Sequence, residues 1–214
     1  MPPGLMPSGL APSGLARITP TQQRSRERFE RILASAAEVM AEKGNEAFRM
    51  SDIVARTGIA FGSLYQYFPD KSALIGTLAE RYNAIGHDCV RRELASMTRR
   101  ADLQATLGRI TYGYYRMFLE VPAMRDIWQA TQADRALQEL DAADVAFLAS
   151  LLSDALRPLA PGASSASLAA FAQTVMVMIA AAVRHAITLP PQEGRRLLAT
   201  FQRLLPKDLS AIDS

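Results

Sequence analysis

Cationic and aromatic side chains concentrate in the first third of this 214-residue chain, and they suit binding better than catalysis. Five arginines fall in the segment from Arg17 to Arg31, against two glutamates. Four aromatic residues then fall within eight positions: Phe61, Tyr65, Tyr67 and Phe68. Guanidinium groups pair with phosphates, and aromatic rings contact base methyl groups. Concentrated positive charge beside a cluster of aromatic rings therefore favours a nucleic-acid surface.

Groups that could carry out catalysis or hold a metal are few. The chain has two histidines and one cysteine, and His87, Cys89 and His185 are too few to form a metal site. The sequence also lacks a Ser/His/Asp set, a carboxylate–histidine cluster and a phosphate-binding loop. We therefore expect no enzyme activity, no metal and no cofactor.

Composition is that of a globular protein with a substantial core, at 49% hydrophobic and 21% charged residues. Its single cysteine excludes an intramolecular disulfide and fits a reducing cytoplasm. The longest strongly apolar run, 168–183, is interrupted by Gln173 and Thr174 and is shorter than the roughly 20 residues of a membrane span. We expect a cytoplasmic location, with no membrane partner and no secretory signal.

The first 16 residues repeat a five-residue pattern of proline, glycine and small residues, which predicts a disordered leader rather than a binding segment. Helical periodicity begins at Arg26 and ends at Gly44-Asn45, where a left-handed cap is tolerated. Its apolar positions are Phe29, Ile32, Leu33, Ala36, Ala37 and Met40.

Two short helices are predicted next, separated by Gly58. The first is SDIVART, with Ser51 or Asp52 as its cap, and the second runs from about Phe61 to Tyr67, where Pro69 ends it. Asp70 then caps a fourth helix. Two short helices joined by a tight glycine turn are typical of a helix-turn-helix, although an ordinary pair of core helices fits the spacing equally well.

The rest of the chain is predicted as further helices, and no alternating strand pattern interrupts them. The fold class is therefore all-α. The predicted spans are 102–119, 123–134, 136–157, 166–188 and 192–205.

Residues 26 to 84 resemble the DNA-binding domain of the TetR family of bacterial transcriptional regulators. The resemblance rests on ILASAAEVMAEKG in the first helix and on SDIVARTGIAFGSLYQYFPDKSAL after it. It implies a disordered leader at 1–22, a three-helix helix-turn-helix domain at 23–84 and a helical ligand-binding and dimerisation domain at 85–208. Beyond the first domain, the likeness is limited to helical character and length.

The resemblance also implies a role for each position of the reading helix. Leu64 and Phe68 share its inner face, and Gly62 allows the backbone close to the major groove. Tyr65 and Tyr67 diverge by about 200° on a helix. By resemblance both are expected to face outward, Tyr65 toward a base methyl or phosphate and Tyr67 toward a phosphate. Lys71 is badly placed for the helix dipole, which favours a phosphate partner.

Two places depart from the family pattern. Ala60 and Phe61 stand where the family commonly has a small hydroxyl residue and a polar one. Phe61 either contacts a thymine methyl or packs against a neighbouring helix. Arg49 stands near the usual position of a Ser or Thr cap, so either Ser51 caps the helix or Arg49 contacts phosphate.

The arginine cluster fits an arm that reaches the DNA backbone or minor groove at Arg24 and Arg26, whereas Arg28 and Arg31 suit a solvated helix face. The complete set of expected DNA contacts is Arg24, Arg26, Arg49, Ser51, Ala60, Phe61, Gly62, Ser63, Tyr65, Gln66, Tyr67 and Lys71.

The second domain is expected to supply a homodimer interface and a ligand pocket. The helix at 168–183 is apolar around most of its circumference, so it is buried on both sides, either against a second copy together with 192–205 or in an intramolecular core. Aromatic and methionine side chains nearby suit a small apolar effector, or are plain core. The expected pocket residues are Tyr112, Tyr115, Phe118, Trp128 and Met176.

Together these features predict a dimeric repressor that binds a palindromic double-stranded operator and is released by a small, largely apolar ligand. The alternative with the same fold is a ligand-independent DNA-binding or DNA-organising protein.

Overall fold

Helices account for nearly all of the ordered secondary structure. The computed structural model describes residues 15–16, 22–210 and 212; it is 82% helical, which confirms the all-α prediction. Within the described residues there are nine α-helices, two short 3-10 turns (Arg100–Asp102 and Arg157–Leu159) and no strand. The α-helices are α1 Gln23–Ala47, α2 Met50–Thr57, α3 Phe61–Tyr67, α4 Lys71–Ala95, α5 Leu103–Glu120, α6 Met124–Ala133, α7 Arg135–Leu156, α8 Ser165–Ala186 and α9 Pro191–Leu204.

Helix ends follow the glycine and proline signals closely. α3 begins and ends where it was predicted to, and Asp70 caps α4 by accepting the Ala73 N–H at 2.7 Å. α1 starts three residues earlier than Arg26 and is broken at Gly44, whose φ of 75° lies in the left-handed region. The sequence predicted that the first helix ends at Gly44-Asn45. In the structure the helix is kinked at Gly44 and continues to Ala47.

The helices form two compact units that do not follow the chain serially. The first combines the chain up to Ile85 with Val121–Asp141, and the second combines Gly86–Glu120 with the chain from Ala142 onward. α6 therefore belongs to the same unit as α1, α2 and α3. The predicted domain limits at 84 and 85 stay a prediction.

The core of the first unit is the apolar stripe of α1. Ile32, Leu33, Ala36 and Met40 are completely buried, and burying a side chain of that size stabilises a fold by about 1.5–3 kcal/mol relative to exposure. The residues packed around the stripe include Ile53, Leu64, Phe68, Leu74, Leu78 and Ile127. Sequence periodicity identified this stripe because its spacing matches one face of a helix.

Polar contacts fix the positions of neighbouring helices in the first unit. The Lys43 ammonium of α1 donates to Asp52 of α2 at 2.7 Å, and Arg81 of α4 pairs with Glu30 of α1 at 2.6 Å. Asp134 caps α7 by accepting the Ala136 N–H at 2.9 Å, and it also accepts the Ser72 hydroxyl of α4. The hydrogen bond from Ser72 is the main cause that lowers the pKa of the Asp134 carboxyl.

Two residues of the predicted disordered leader, Leu15 and Ala16, instead pack on the first unit. Ala16 is 9% exposed and belongs to the same hydrophobic cluster as Leu137 of α7. Leu15 lies over Gly76 of α4, where a methyl group in place of the glycine hydrogen would come within 2.5 Å of Leu15 Cδ1. The other leader residues, 1–14 and 17–21 with Arg17 among them, lie outside the described part of the chain.

The second unit is built around α5, α7 and α8. Its buried residues include Leu103, Leu107, Leu152, Leu156, Leu168, Ala172 and Val175. α9 lies close against α8 because Gly194 has no side chain: a methyl group there would stand 2.5 Å from the Ala186 carbonyl oxygen. The side-chain amide of Gln104 donates to carbonyl oxygens at the end of α9, including that of Leu205 at 3.1 Å.

Candidate DNA-binding surface

The turn between α2 and α3 depends on a glycine. Gly58 has φ 68°, a left-handed conformation that glycine adopts without steric cost, and its N–H donates to the Val54 carbonyl at 2.9 Å. The Thr57 hydroxyl donates to the Ile53 carbonyl at 2.7 Å and accepts the Ile59 N–H at 3.3 Å. Three residues, 58–60, therefore separate α2 from α3, a turn of the length found in helix-turn-helix motifs.

The inner face of α3 is anchored by aromatic packing. Leu64 and Phe68 are fully buried, as predicted. The Phe68 ring stacks on Phe29 of α1, with centroids 5.1 Å apart. This packing holds a seven-residue helix that is too short to be stable alone.

Tyr67 also faces inward, so its expected outward orientation is wrong. It is 5% exposed, and its ring meets Phe29 edge-on at 5.9 Å. Its hydroxyl lies 2.7 Å from the Ser25 hydroxyl of α1. Tyr65 and Tyr67 do diverge around the helix, as their spacing requires, but only Tyr65 points into solvent.

The outer face of α3 carries two exposed aromatic rings. Phe61 is 48% exposed and Tyr65 is 41% exposed, and the two rings stack with centroids 6.4 Å apart. A methyl group added at Gly62 would meet nothing within 4 Å. Ala60 and Gln66 are exposed and Ser63 is half-buried. The exposure of Phe61 favours a contact outside the protein over packing against a neighbouring helix, and its role stays a prediction.

Lys71 has a partner within the protein that the sequence did not reveal. Its ammonium group donates to the Asn45 carbonyl at 2.6 Å and lies 5.4 Å from the centroid of the Phe48 ring. Burial, and to a lesser extent the like charge of Arg49, lowers the pKa of Lys71. The unfavourable position for the α4 dipole is thus offset by a carbonyl near the end of α1. A phosphate contact for Lys71 stays a prediction.

The start of α2 is organised around Asp52 rather than Ser51. The Asp52 carboxylate accepts the Arg49 backbone N–H at 2.9 Å, and the hydrogen bond from Lys43 is the main cause that lowers the pKa of Asp52. Ser51 is exposed, and the Arg49 guanidinium donates to the Phe48 carbonyl at 3.1 Å. The cap residue of α2 is therefore Arg49, so the prediction of Ser51 or Asp52 at that position is wrong; Asp52 stabilises the helix start from the third helical position, and both Arg49 and Ser51 are exposed.

Arg24 and Arg26 lie in α1, not on an extended arm as expected. Both are exposed and fall in or next to the first turn of that helix. α1 has no acidic residue in its first turn, so positive charge dominates its start. One turn further along α1, Glu30 pairs with Arg81 of α4.

The expected pocket residues fall in both units, and a pocket formed by them stays a prediction. Trp128 lies on α6 in the first unit, whereas Tyr112, Tyr115, Phe118 and Met176 belong to the second. Tyr115 and Met176 are buried at 4% exposure each, but Tyr112 is 57% exposed and does not line the interior of its unit. Phe118 is half-buried.

Two family models match the chain. Residues 32–78 match the description "Bacterial regulatory proteins, tetR family", and residues 101–212 match "Tetracyclin repressor-like, C-terminal domain". The second match alone covers more than half of the chain.

The chain belongs to the TetR family. The family consists of transcriptional regulators that bind DNA and are not enzymes, which agrees with the expected lack of enzyme activity. The resemblance found in residues 26 to 84 therefore extends to the carboxy-terminal helices.

Curated relatives and solved structures agree with membership in the TetR family. Over 53 residues the chain is 47% identical to an uncharacterized HTH-type transcriptional regulator of Bacillus subtilis, YvdT, covering 25% of this chain and 27% of YvdT. Over 112 residues it is 30% identical to the HTH-type transcriptional repressor KstR of Mycobacterium tuberculosis, covering 52% of this chain and 51% of KstR. The chain thus spans about half or less of the length of the curated relatives it matches.

A crystal structure of a TetR-family transcriptional regulator from Pectobacterium atrosepticum has the same fold. The TM-score is 0.70 at 20% identity, and the match covers 89% of this chain and 98% of that one. Because identity is low, this likeness concerns the fold alone.

Proposed function

We propose that this TetR-family chain is a transcriptional repressor that reads double-stranded operator DNA with the outer face of α3. The observation that supports it best is the division of α3: its inner face is fixed to the core by Leu64 and Phe68, while Phe61 and Tyr65 remain exposed beside an open Gly62. Two curated relatives that match the chain are named repressors.

The proposed contacts follow from exposure and position. α3 supplies base-edge contacts, and cationic groups of α1, the start of α2 and the start of α4 supply phosphate contacts that set its register. Tyr67 is left out because its ring is buried and its hydroxyl has a partner. The proposed set is Arg24, Arg26, Arg49, Ser51, Ala60, Phe61, Gly62, Ser63, Tyr65, Gln66 and Lys71.

A homodimer through α8 and α9 would present two copies of α3 to a palindromic operator. α8 buries one face in the second unit but leaves Val177 48% exposed and Met178 39% exposed, and Leu204 at the end of α9 is 76% exposed. Small residues on the same exposed surface of α8, among them Ala170 and Ala181, would permit close approach of a second copy.

Dimerisation is tested by placing a charge on that surface. Val177→Glu should shift the chain from dimer to monomer in light scattering coupled to gel filtration, because a carboxylate would be buried in an apolar interface. Leu119→Glu is the matched control, since Leu119 is 59% exposed but lies on α5. Equal masses for wild type and Val177→Glu would contradict this interface.

The effector is proposed to be a small, largely apolar molecule held by the second unit near Tyr115, Phe118 and Met176. The apolar and aromatic character of these side chains supports it. A panel of lipophilic compounds should include one that raises the melting temperature and weakens DNA binding. If none does either, the chain is a ligand-independent DNA-binding protein of the same fold.

A cytoplasmic location is part of the same proposal. By length and composition, the 22-residue helix α8 could cross a membrane. Its packed face argues for a core helix, because Leu168, Val175, Ile179 and Val183 are all buried in the second unit.

Selection from a random pool of duplexes tests the DNA-binding proposal without a known operator. Repeated capture by the wild-type chain at about 0.15 M salt should enrich one inverted-repeat sequence. Its affinity should exceed that for unselected DNA by about a thousandfold or more. Failure to enrich any sequence would refute the proposal.

A further inference from the structure

Phe61 and Tyr65 form an aromatic pair on the solvent side of α3. They are four residues apart and share one side of the helix, and their ring planes differ by 17°. Other phenylalanines in the same unit behave differently: Phe48 and Phe68 are fully buried, and Phe29 is 9% exposed. A single exposed phenylalanine would be ordinary, but two adjacent exposed rings form a contiguous apolar patch, which favours an external apolar partner.

Tyr65 keeps the Phe61 ring at a defined place on the surface. The stacking partner restricts its rotation, and Gly62 beside it adds no side chain that could cover either ring. The two rings therefore form a preorganised apolar surface. Such a surface gains binding free energy because little side-chain freedom is lost on association.

The chemistry of the major groove identifies what this surface can recognise. Base edges there present hydrogen-bond donors and acceptors, and their apolar feature is the C5 methyl group of thymine. A phenylalanine ring has neither a donor nor an acceptor, so it cannot distinguish bases by hydrogen bonds. It can distinguish them by contact with that methyl group.

We propose that the Phe61–Tyr65 pair is a specificity determinant that selects operators carrying a thymine methyl group opposite the Phe61 ring in each half-site. This inference rests on the proposed function. Within it, Phe61 supplies the methyl contact, and Tyr65 positions the ring while its hydroxyl is free to reach a neighbouring phosphate or base edge. Loss of Phe61 relaxes sequence preference without abolishing attachment to DNA, because the phosphate contacts remain.

Replacing thymine by deoxyuridine, one position at a time, tests the proposal in the selected duplex. The change removes one methyl group and leaves the hydrogen-bonding edge of the base intact. One thymine in each half-site should prove sensitive. Replacing that thymine in a single half-site should weaken binding of the duplex by the wild-type chain about fourfold, and replacing it in both half-sites should weaken binding about fifteenfold. Fluorescence anisotropy at fixed salt measures both affinities.

Variants connect the methyl effect to the ring. For Phe61→Ala, the ratio of the affinities for the thymine duplex and the deoxyuridine duplex should fall to about one at the sensitive position, because the side chain that contacts the methyl group is already absent. Tyr65→Phe keeps the stacked ring and should keep the ratio. Phe147→Ala is the matched control, because Phe147 is also exposed, at 37%, but lies on α7.

The outcomes separate this inference from the function on which it rests. If no duplex is enriched, the proposed function itself fails. If a duplex is enriched but deoxyuridine binds as well as thymine at every position, or if Phe61→Ala keeps the wild-type ratio, DNA binding stands and the methyl contact is refuted. A lower melting temperature in Phe61→Ala with an unchanged ratio would likewise assign Phe61 a structural role.

Discussion

The pair formed by Tyr67 and Ser25 offers a sharp prediction, because here the structure and the family pattern imply different roles. The Tyr67 hydroxyl lies 2.7 Å from the Ser25 hydroxyl, and the Tyr67 side chain is 5% exposed. If this bond serves to fix α3 to α1, then Tyr67→Phe and Ser25→Ala should remove the same interaction. Each variant should lower the free energy of unfolding by about 1 kcal/mol, the net contribution of a typical hydrogen bond.

A double-mutant cycle gives the coupling between the two side chains directly. The double variant should be destabilised by about 1 kcal/mol less than the sum of the single variants, because the bond can be lost only once. The single tryptophan, Trp128, lies on α6 in the same unit and reports urea unfolding through its fluorescence. In a thermal melt each single change should lower the melting temperature by about 2–4 °C.

DNA affinity distinguishes this structural role from a phosphate contact. At a temperature where all variants are folded, Tyr67→Phe and Ser25→Ala should bind the selected duplex equally well and within about twofold of wild type. The reasoning is refuted if the cycle shows no coupling while Tyr67→Phe alone weakens DNA binding.

Three further predictions follow from the packing and charges. Gly194→Ala should lower the melting temperature by several degrees, because a methyl group there would stand 2.5 Å from a backbone oxygen of α8; Gly162→Ala, with open space around it, should not. Asp134→Ala should destabilise the chain by about 1 kcal/mol at neutral pH through loss of the α7 cap. Because the folded-state pKa of Asp134 is lowered, this contribution is complete at neutral pH and is lost as the pH falls through that pKa, so the variant and wild type should converge in acid unfolding titrations. Leu15→Asp should lower the melting temperature and increase hydrogen exchange in α4 near residue 76, whereas Leu119→Asp, at a position of α5 that is 59% exposed, should do neither; equal effects of the two would argue against the packing of Leu15.

Much of the fold could be predicted because its signals are local. The 3.6-residue spacing of apolar residues identified the inner face of α1, and the limits of α3 followed from Gly58 and Pro69. Leu64 and Phe68 were placed correctly for the same reason, since four residues bring side chains to one face of a helix. The match to the TetR family covers residues 32–78 and extends to the carboxy-terminal helices at 101–212.

What could not be predicted depended on contacts between distant residues. Tyr67 lies three residues after Leu64, so helical spacing alone would have placed it on the inner face, and the outward assignment came from the family resemblance. Its hydroxyl partner, Ser25, lies 42 residues earlier and could not be read from the spacing. The partner of Lys71 is a backbone carbonyl of Asn45, and no side-chain pattern marks a carbonyl as a partner. Similarly, nothing in residues 121–141 themselves indicates that they pack with the amino-terminal helices.

The most direct test of a DNA-reading outer face on α3 is the affinity of Gly62→Leu for the selected duplex. A Cβ atom added at this position would meet no neighbouring group within 4 Å, and leucine favours helix over glycine, so the melting temperature should hold or rise. If α3 enters the major groove by this face, affinity should fall by about tenfold or more, because the added side chain holds the helix away from the bases. Wild-type affinity in a fully folded Gly62→Leu chain would contradict the account.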